Sequence, residues 1–244
     1  GYYWSSSLDE SYPYSAWYLH FSSGNHSTSN SYRGIGHTVR AVVSTVNGEP
    51  APVVNKVDLG LPSGTLWADR NVGADSPEAY GDYFAWGETV PKSTYNWSTY
   101  KWCKGSYDTM TKYCTNSNDG TVDNKTVLDL EDDAAYVNMG PEWRMPTRTE
   151  LNELNNVCTW TWTTQNGTRG YKVTGPNGNS IFLPAAGYCC DSNLSRAGSY
   201  GYHWSSSLYE IRSYSAWSLY FGSDFYGASS CERLNGHPVR AVVR

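Results

Sequence analysis

No apolar run approaches the roughly 18 residues that a membrane-spanning helix needs. No block of like charge is longer than Glu131–Asp133. Nothing in the chain is both basic and clustered, which excludes the footprint of a nucleic-acid binder. Charged residues make up only 17% of the 244, for a net charge of −5. No Cys-x-x-Cys occurs, and no Cys/His spacing suits zinc. Gly-x-Ser-x-Gly, His-Glu-x-x-His and P-loop motifs are all missing, which removes the common hydrolase and nucleotide signatures. No signal peptide is visible, and the chain opens inside a repeat, so its first residue carries no targeting information.

What is present is aromatic and polar. Aromatic side chains reach 15%, with 21 Tyr and 11 Trp. The polarity comes from Ser, Thr, Asn, Gly and Tyr rather than from Lys and Glu. A disordered chain is poor in aromatics, so this composition predicts a β-rich, loop-rich globular protein. The length allows one or two domains.

Six cysteines occur, at 103, 114, 158, 189, 190 and 231. Cys103 and Cys114 bracket a short loop and are either a disulfide of an oxidising compartment or two buried thiols.

The chain repeats itself with a period of 200 residues. Aligned without gaps, residues 1–43 and 201–243 agree at 24 positions and differ at 19. The shared set includes Trp4/Trp204, Leu8/Leu208, Tyr14/Tyr214, Trp17/Trp217, Leu19/Leu219, Phe21/Phe221, Arg33/Arg233 and the closing Val-Arg-Ala-Val-Val at 39–43 and 239–243. Residues 1–44 therefore read as the C-terminal part of one copy and 56–244 as a complete copy. Residues 45–55 have the Gly and Pro content of a linker. A period this long indicates tandem domains, not a solenoid. The isolated sheet of residues 1–44 is expected to pair with the complete domain or with a neighbouring chain through exposed strands.

The 19 differences ignore size, charge and polarity, as Asp9/Tyr209, Tyr18/Ser218 and Asn25/Phe225 show. Along Ser215–Phe221 the fixed and varied residues nearly alternate, which predicts a strand with one core face and one solvent face. The varied side chains include no Lys, Gln, Met, Trp or Val and a single Glu, Glu232. Lys and Glu are among the commonest residues of ordinary domains. Apart from Glu232, every varied residue has a codon of the form NNC, the set reached when an AAC codon is randomised at its adenines. Residues 189–195, Cys-Cys-Asp-Ser-Asn-Leu-Ser, obey the same restriction. Adenine-directed diversification and ordinary drift between copies are the two readings. Binding surfaces favour Tyr, Ser, Gly and Asn for physical reasons as well.

Elsewhere, residues 57–74 predict two strands around a Pro-Ser-Gly turn, and 80–88 another strand. Residues 89–125 form a long polar insertion. Residues 128–140 have helical composition, with acids in the first turn and Gly140 at the end. Thr147 and Glu150 make a capping box ahead of a Leu151/Leu154 stripe. Residues 158–164 alternate with period two, and 170–187 form a hairpin about Pro176–Asn179. The class is α+β: two short helices packed on short, mostly antiparallel strands with long loops.

The segments "VDLGLPSGTLWA" and "NVGA" (57–68, 71–74), "YGDYFAWGE" (80–88), "WRMPTRTEL" (143–151), "IFLPAAGY" (181–188), "GYHWSSS" (201–207) and "VRAVV" (239–243) resemble the Fibrobacter succinogenes major paralogous domain of Bacteroidetes surface proteins. The resemblance spans essentially all of 56–244. The block from Asp133 to Leu151 is also similar to the core of the formylglycine-generating-enzyme type of C-type lectin fold. The resemblance implies that fold. It further implies the arrangement of diversity-generating-retroelement variable proteins, in which a mutagenised C-terminal segment, here 189–238, is the ligand-binding face. It also implies an extracellular, cell-surface or phage-particle location.

The expected framework is Trp204, Leu208, Tyr214, Trp217, Leu219, Phe221, Arg233 and residues 239–243. Trp204 and Trp217 are expected to pack inward, and Arg233 or Arg240 to hold a loop. The expected ligand-binding residues are His203, Tyr209, Ile211, Arg212, Ser213, Ser218, Tyr220, Asp224, Phe225, Tyr226, Glu232, Leu234 and Asn235. The ligand is an unknown protein or glycan, with no nucleic acid and no membrane insertion. No catalytic residue, metal or cofactor is expected. Formylglycine-generating relatives use a late cysteine pair, whereas Cys231 is Ser31 in the first copy and none of Cys189, Cys190 and Cys231 has a basic or His residue directly beside it to activate it. His203, His20 and His26 each face Tyr in the other copy, and only His37/His237 persists. The calcium-site triplets of sugar-binding lectins are missing, and Leu130–Asp133 fits a helix start better than a calcium site. The function expected is recognition without chemistry, and the alternative is a fixed structural or adhesive module of a tandem-repeat surface protein.

Overall fold

The computed structural model describes residues 1–39, 45–46, 49–50 and 53–243. The chain divides into two compact units, Gly1–Val53 and Val54–Arg244. The division falls inside the expected linker.

In the first unit, β1 (Tyr2–Leu8), β2 (Ser15–Ser22) and β3 (Asn25–Tyr32) form an antiparallel sheet in sequence order. A two-residue pair, β4 (Thr45–Val46) with β5 (Glu49–Pro50), occupies part of the expected linker. The first copy's Val-Arg-Ala-Val-Val lies outside the described residues from 40 onward.

The second unit closes on itself. β6 (Lys56–Asp58) and β7 (Leu66–Asn71) flank the predicted turn, where Gly64 N–H donates to Leu61 O at 2.9 Å. The last strand, β16 (Arg240–Val243), pairs with β7, so both ends of the unit meet in one sheet. The capping box is present: Thr147 accepts from Glu150 N–H, Glu150 reaches back, and α2 runs Arg148–Val157. Leu151 and Leu154 are its buried stripe. β8 (Thr159–Gln165), β9 (Thr168–Thr174) and β10 (Ser180–Pro184) form a three-stranded meander. The predicted β9–β10 hairpin is there. The β8–β9 turn, Asn166–Gly167, went unread in the sequence; both residues sit at positive φ, as a two-residue hairpin turn demands.

Two expectations change. Residues 80–88 are an extended segment with a single bridge, Phe84 to His237, not a strand. Phe84, Ala85 and Trp86 are all buried, so side chains anchor the segment rather than a ladder. Tyr83 Oη–H donates to Ala186 O and Trp86 Nε1–H to Ser205 O. Residues 128–140 are not one helix. A 3-10 turn, Leu130–Asp132, precedes α1 (Ala134–Met139), because Asp133 caps α1 by accepting from Ala135 and Tyr136 N–H. Asp132 is held by Lys112 at 2.6 Å and Lys101 at 3.3 Å. The 89–125 insertion is irregular, as expected. Cys103 and Cys114 are free thiols that donate to Trp97 O and Asn116 O.

Three more elements carry the site: the hairpin β11 (Tyr188–Cys190) with β12 (Asn193–Ser195), and the sheet β13 (Gly201–Leu208), β14 (Ser215–Gly222), β15 (Phe225–Glu232). This last sheet has core on both faces. Trp204, Leu208 and Ala216 join a cluster with Trp86, Trp143 and Val239. Leu219 and Phe221 join another with Leu151, Leu154 and Tyr171.

Candidate functional site

Cross-strand partners share a face of a sheet. Tyr202 faces Tyr220 and Trp204 faces Ser218 on one side; Gly201 faces Phe221 and His203 faces Leu219 on the other. Trp204 is fully buried. Its Nε1–H donates to Phe84 O at 2.8 Å, and the His237 ring lies over it at 3.9 Å. Trp217 is only half-buried, contrary to expectation, because its ring is covered by the Arg148 guanidinium at 3.6 Å and edged by Tyr209 instead of entering the core. Both framework arginines hold chain in place. Arg233 donates to Tyr100 Oη and to the carbonyls of Ser213, Tyr113 and Lys112. Arg240 donates to Asn71 Oδ1 and to the carbonyls of Ala68 and Phe182.

Burial sorts the repeat. Of the 24 shared positions, 18 are buried in the second copy, against 6 of the 19 that differ, so identity follows the core and difference follows the surface. The six exceptions correct the sequence reading, since a buried side chain cannot touch a partner. Four were expected to bind. His203 stacks on Phe221 and bonds Asn71 Oδ1 through Nε2 at 3.2 Å. Ser213 accepts from Thr115 N–H, and its own N–H donates to Asp119. Ser218 is covered because its face of β14 meets Trp204 and Cys231 rather than solvent, so the alternation along Ser215–Phe221 does not separate core from water. Leu234 packs among Tyr95, Tyr100 and Cys114. The remaining two are Gly222 and Pro238.

Of the other nine, four come together. Tyr220 and Phe225 lie 4.8 Å apart, and Tyr220 stacks on Tyr202 at 4.7 Å and on Tyr200 at 5.9 Å. Tyr188 extends this row onto Tyr202 at 5.0 Å. The row runs into a crevice of about 180 Å³ lined by Tyr188, Tyr202, Cys231, Glu232, Asn235 and His237. The β11–β12 hairpin forms its side: Cys189 and Gly236 exchange backbone hydrogen bonds of 2.8 and 2.9 Å. Asp191 to Leu194 stand exposed on that hairpin. The stretch with the restricted residue set and the varied part of the repeat thus meet along one edge.

The rest lie apart. Asp224 joins Phe225 and Tyr200 in a second crevice, of about 200 Å³, with Trp162 and Arg169. Tyr226 lies flat on Trp160 at 4.5 Å. Tyr209 sits beside Trp217, and Ile211 and Arg212 are exposed on the β13–β14 loop. Tyr188 and Tyr200 were missed by sequence comparison because they lie outside the repeated stretch. Tyr202, shared by both copies, is itself buried and links Tyr188 to Tyr220 in the row.

The titratable groups here are muted. Burial lowers the His237 imidazole to about 3. His203 also falls well below its usual value, through burial and then the charge of Arg240. Burial raises the thiols of Cys189, Cys190 and Cys231. Among the described residues no group of three His, Cys, Asp or Glu side chains could hold a metal ion. No helix among them is long and apolar enough to cross a membrane. Comparison with protein-family models finds no match, comparison with curated proteins finds none, and comparison with solved structures finds none.

Proposed function

We propose that residues 54–243 are a non-enzymatic ligand-binding module of C-type lectin type, a receptor or adhesin displayed on a cell or phage surface. Its binding face is the tyrosine row and crevice between β11–β12 and β13–β15. One observation carries the reading: the differing positions Tyr220, Phe225, Cys231, Glu232 and Asn235 share a surface with the restricted stretch 189–195, although the two signals lie far apart in sequence. Tyr and Phe there supply large contact area at low entropic cost, and single anchors of this kind carry much of an interface's affinity. The row carries one guanidinium, Arg196 over Tyr200 at 4.9 Å, and one carboxylate, Glu232, in the crevice, a mixed aromatic and polar surface that suits a glycan or a protein loop. Raised thiols are poor nucleophiles, because reactivity follows the thiolate, and a histidine neutral down to about pH 3 is no general acid. Both facts support recognition without chemistry.

The test is deep sequencing of the DNA encoding residues 189–238 through clonal descent, paired with a glycan and surface-protein binding screen. Substitutions accumulating at 189–195, 220, 225, 231, 232 and 235, with the framework silent, are the expected result. Codons at those positions that change no faster than those of Trp204 or Phe221 overturn diversification. A second reading, a fixed module in a tandem array, is favoured by the buried differences at 203, 213, 218 and 234, which drift explains without a ligand. A binding signal lost in Phe225→Ala separates a receptor from an inert bead.

A further inference from the structure

The first unit presents an apolar groove of about 940 Å³ formed entirely by its own residues, among them Trp4, Leu8, Trp17, Leu19 and Phe21. Leu8, Leu19 and Phe21 are 56%, 41% and 43% exposed. Patches of this kind on soluble proteins mark interaction surfaces. What covers the same residues is visible 200 positions later. Leu219 and Phe221 sit against Leu151 and Leu154 of α2 and Tyr171 of β9. Trp217 lies under Arg148 of α2, and Trp204 donates to Phe84 O. Trp204, Trp217, Leu219 and Phe221 are each identical in the first copy.

The face is also preformed. β1, β2 and β3 pair in the same register as β13, β14 and β15, residue for residue, including the irregularity after Trp4 and Trp204. His37 lies over Trp4 at 4.3 Å where His237 lies over Trp204 at 3.9 Å. Tyr3 stacks on Phe21 at 5.7 Å where His203 stacks on Phe221 at 5.9 Å. A face already in its bound shape loses little entropy on docking.

We propose that the two apolar faces of residues 1–38 are the docking surface for a second scaffold built like residues 54–200, which covers the Leu19/Phe21 face with an α2-type helix and a β8–β10-type meander and the Trp4/Leu8 face with the counterpart of Phe84–Trp86. This holds whether or not the second unit binds a ligand. The match is to the class of scaffold and not to every side chain: Ser218, fully buried, is Tyr18 in the first copy, and Ser213, whose N–H serves Asp119, is Pro13.

The test adds a copy of residues 54–200 ahead of Gly1 in the full chain and follows hydrogen exchange and tryptophan emission. The expected result is that amides of 15–22 gain protection by about 100-fold or more, the emission shifts to the blue, and Leu19→Asp with Phe21→Asp abolishes both changes. The same fusion carrying Pro13→Ser, Tyr18→Ser and Gly34→Leu removes the side-chain mismatches. If neither fusion protects 15–22, the proposal is overturned. It is also overturned if the parent chain is already a dimer that Leu19→Asp dissociates, since the face then pairs with itself.

Discussion

Residues 1–38 and 201–238 hold the same framework, the same strands and the same register, yet their burial is opposite. Phe221 and Leu219 are 0% and 1% exposed where Phe21 and Leu19 are more than a third exposed. Arg233 is buried among four oxygen acceptors, and Arg33 is exposed. Among residues 1–39 only Asp9 and Ser15 are buried. Strand pairing is therefore a local property of this segment, carried by its turns and its cross-strand pairs. Burial is supplied by elements distant in the chain, from β9 and α2 to the segment around Phe84.

The largest test of that contrast is truncation of the shared aromatics. Trp204→Ala and Phe221→Ala should each lower the stability of the second unit by about 3–5 kcal/mol, read by urea denaturation, because each leaves a cavity. Trp4→Ala and Phe21→Ala should leave the same transition within about 0.5 kcal/mol. Equal effects in the two copies would mean that the first unit is packed as the second is.

The next test is pH. His237 is neutral in the fold and titrates near 3 against 6.5 when exposed. A lowered folded value means that the unfolded chain binds the extra proton, so stability present above about pH 6.5 is lost as pH falls toward 3. The full loss is of order 5 kcal/mol from this group, by the free energy of one such shift. Glu150, lowered to about 2 mainly by Arg144 against the opposing effect of burial, adds an acid-labile part between pH 4.5 and 2. His237→Phe keeps a ring over Trp204, and should reduce the slope between pH 6.5 and 3 by the share of this one group, leaving the parts that His203 and Glu150 contribute. An unchanged slope would place the protonation elsewhere.

Smaller effects sharpen the comparison. Ser218→Tyr, which installs the first copy's residue in a filled site, should destabilise by about 1–3 kcal/mol through overpacking, whereas Tyr18→Ser in the first unit should leave the second unit's transition unmoved. Thr147→Ala should lower stability by about 1 kcal/mol through loss of the cap. Phe225→Ala and Asn235→Ala should change the melting curve least of all, within about 0.5 kcal/mol, while removing ligand binding.

Much of the architecture was legible. The capping box, the β9–β10 hairpin, the first two strands and the long polar insertion all follow from short-range chemistry, and each stands where it was expected. The 80–88 segment was not legible as it is. Phe84, Ala85 and Trp86 have the composition of a strand, but both flanks are taken by core, and one bridge to His237 and a single bond from Trp86 N–H to Arg233 O are their backbone pairing. The site divided the same way. The exposed or half-buried differences at 220, 225, 232 and 235 were found by comparing the two copies. The buried ones at 203, 213, 218 and 234 were misread because a swap between copies records tolerance, and a site can tolerate change by being repacked as well as by facing water.

The sequence alone determined the repeat, the register of its strands and the separation of a shared aromatic framework from a varied set, since these rest on spacing and on local turn chemistry. The tertiary structure decided which faces are covered. It buried both sides of β13 and β14, drew Tyr188, Tyr200 and Tyr202 into one row with the varied residues, and set Cys189 against Gly236. Burial depends on what packs from elsewhere in the chain, and residue spacing within a segment carries no record of that.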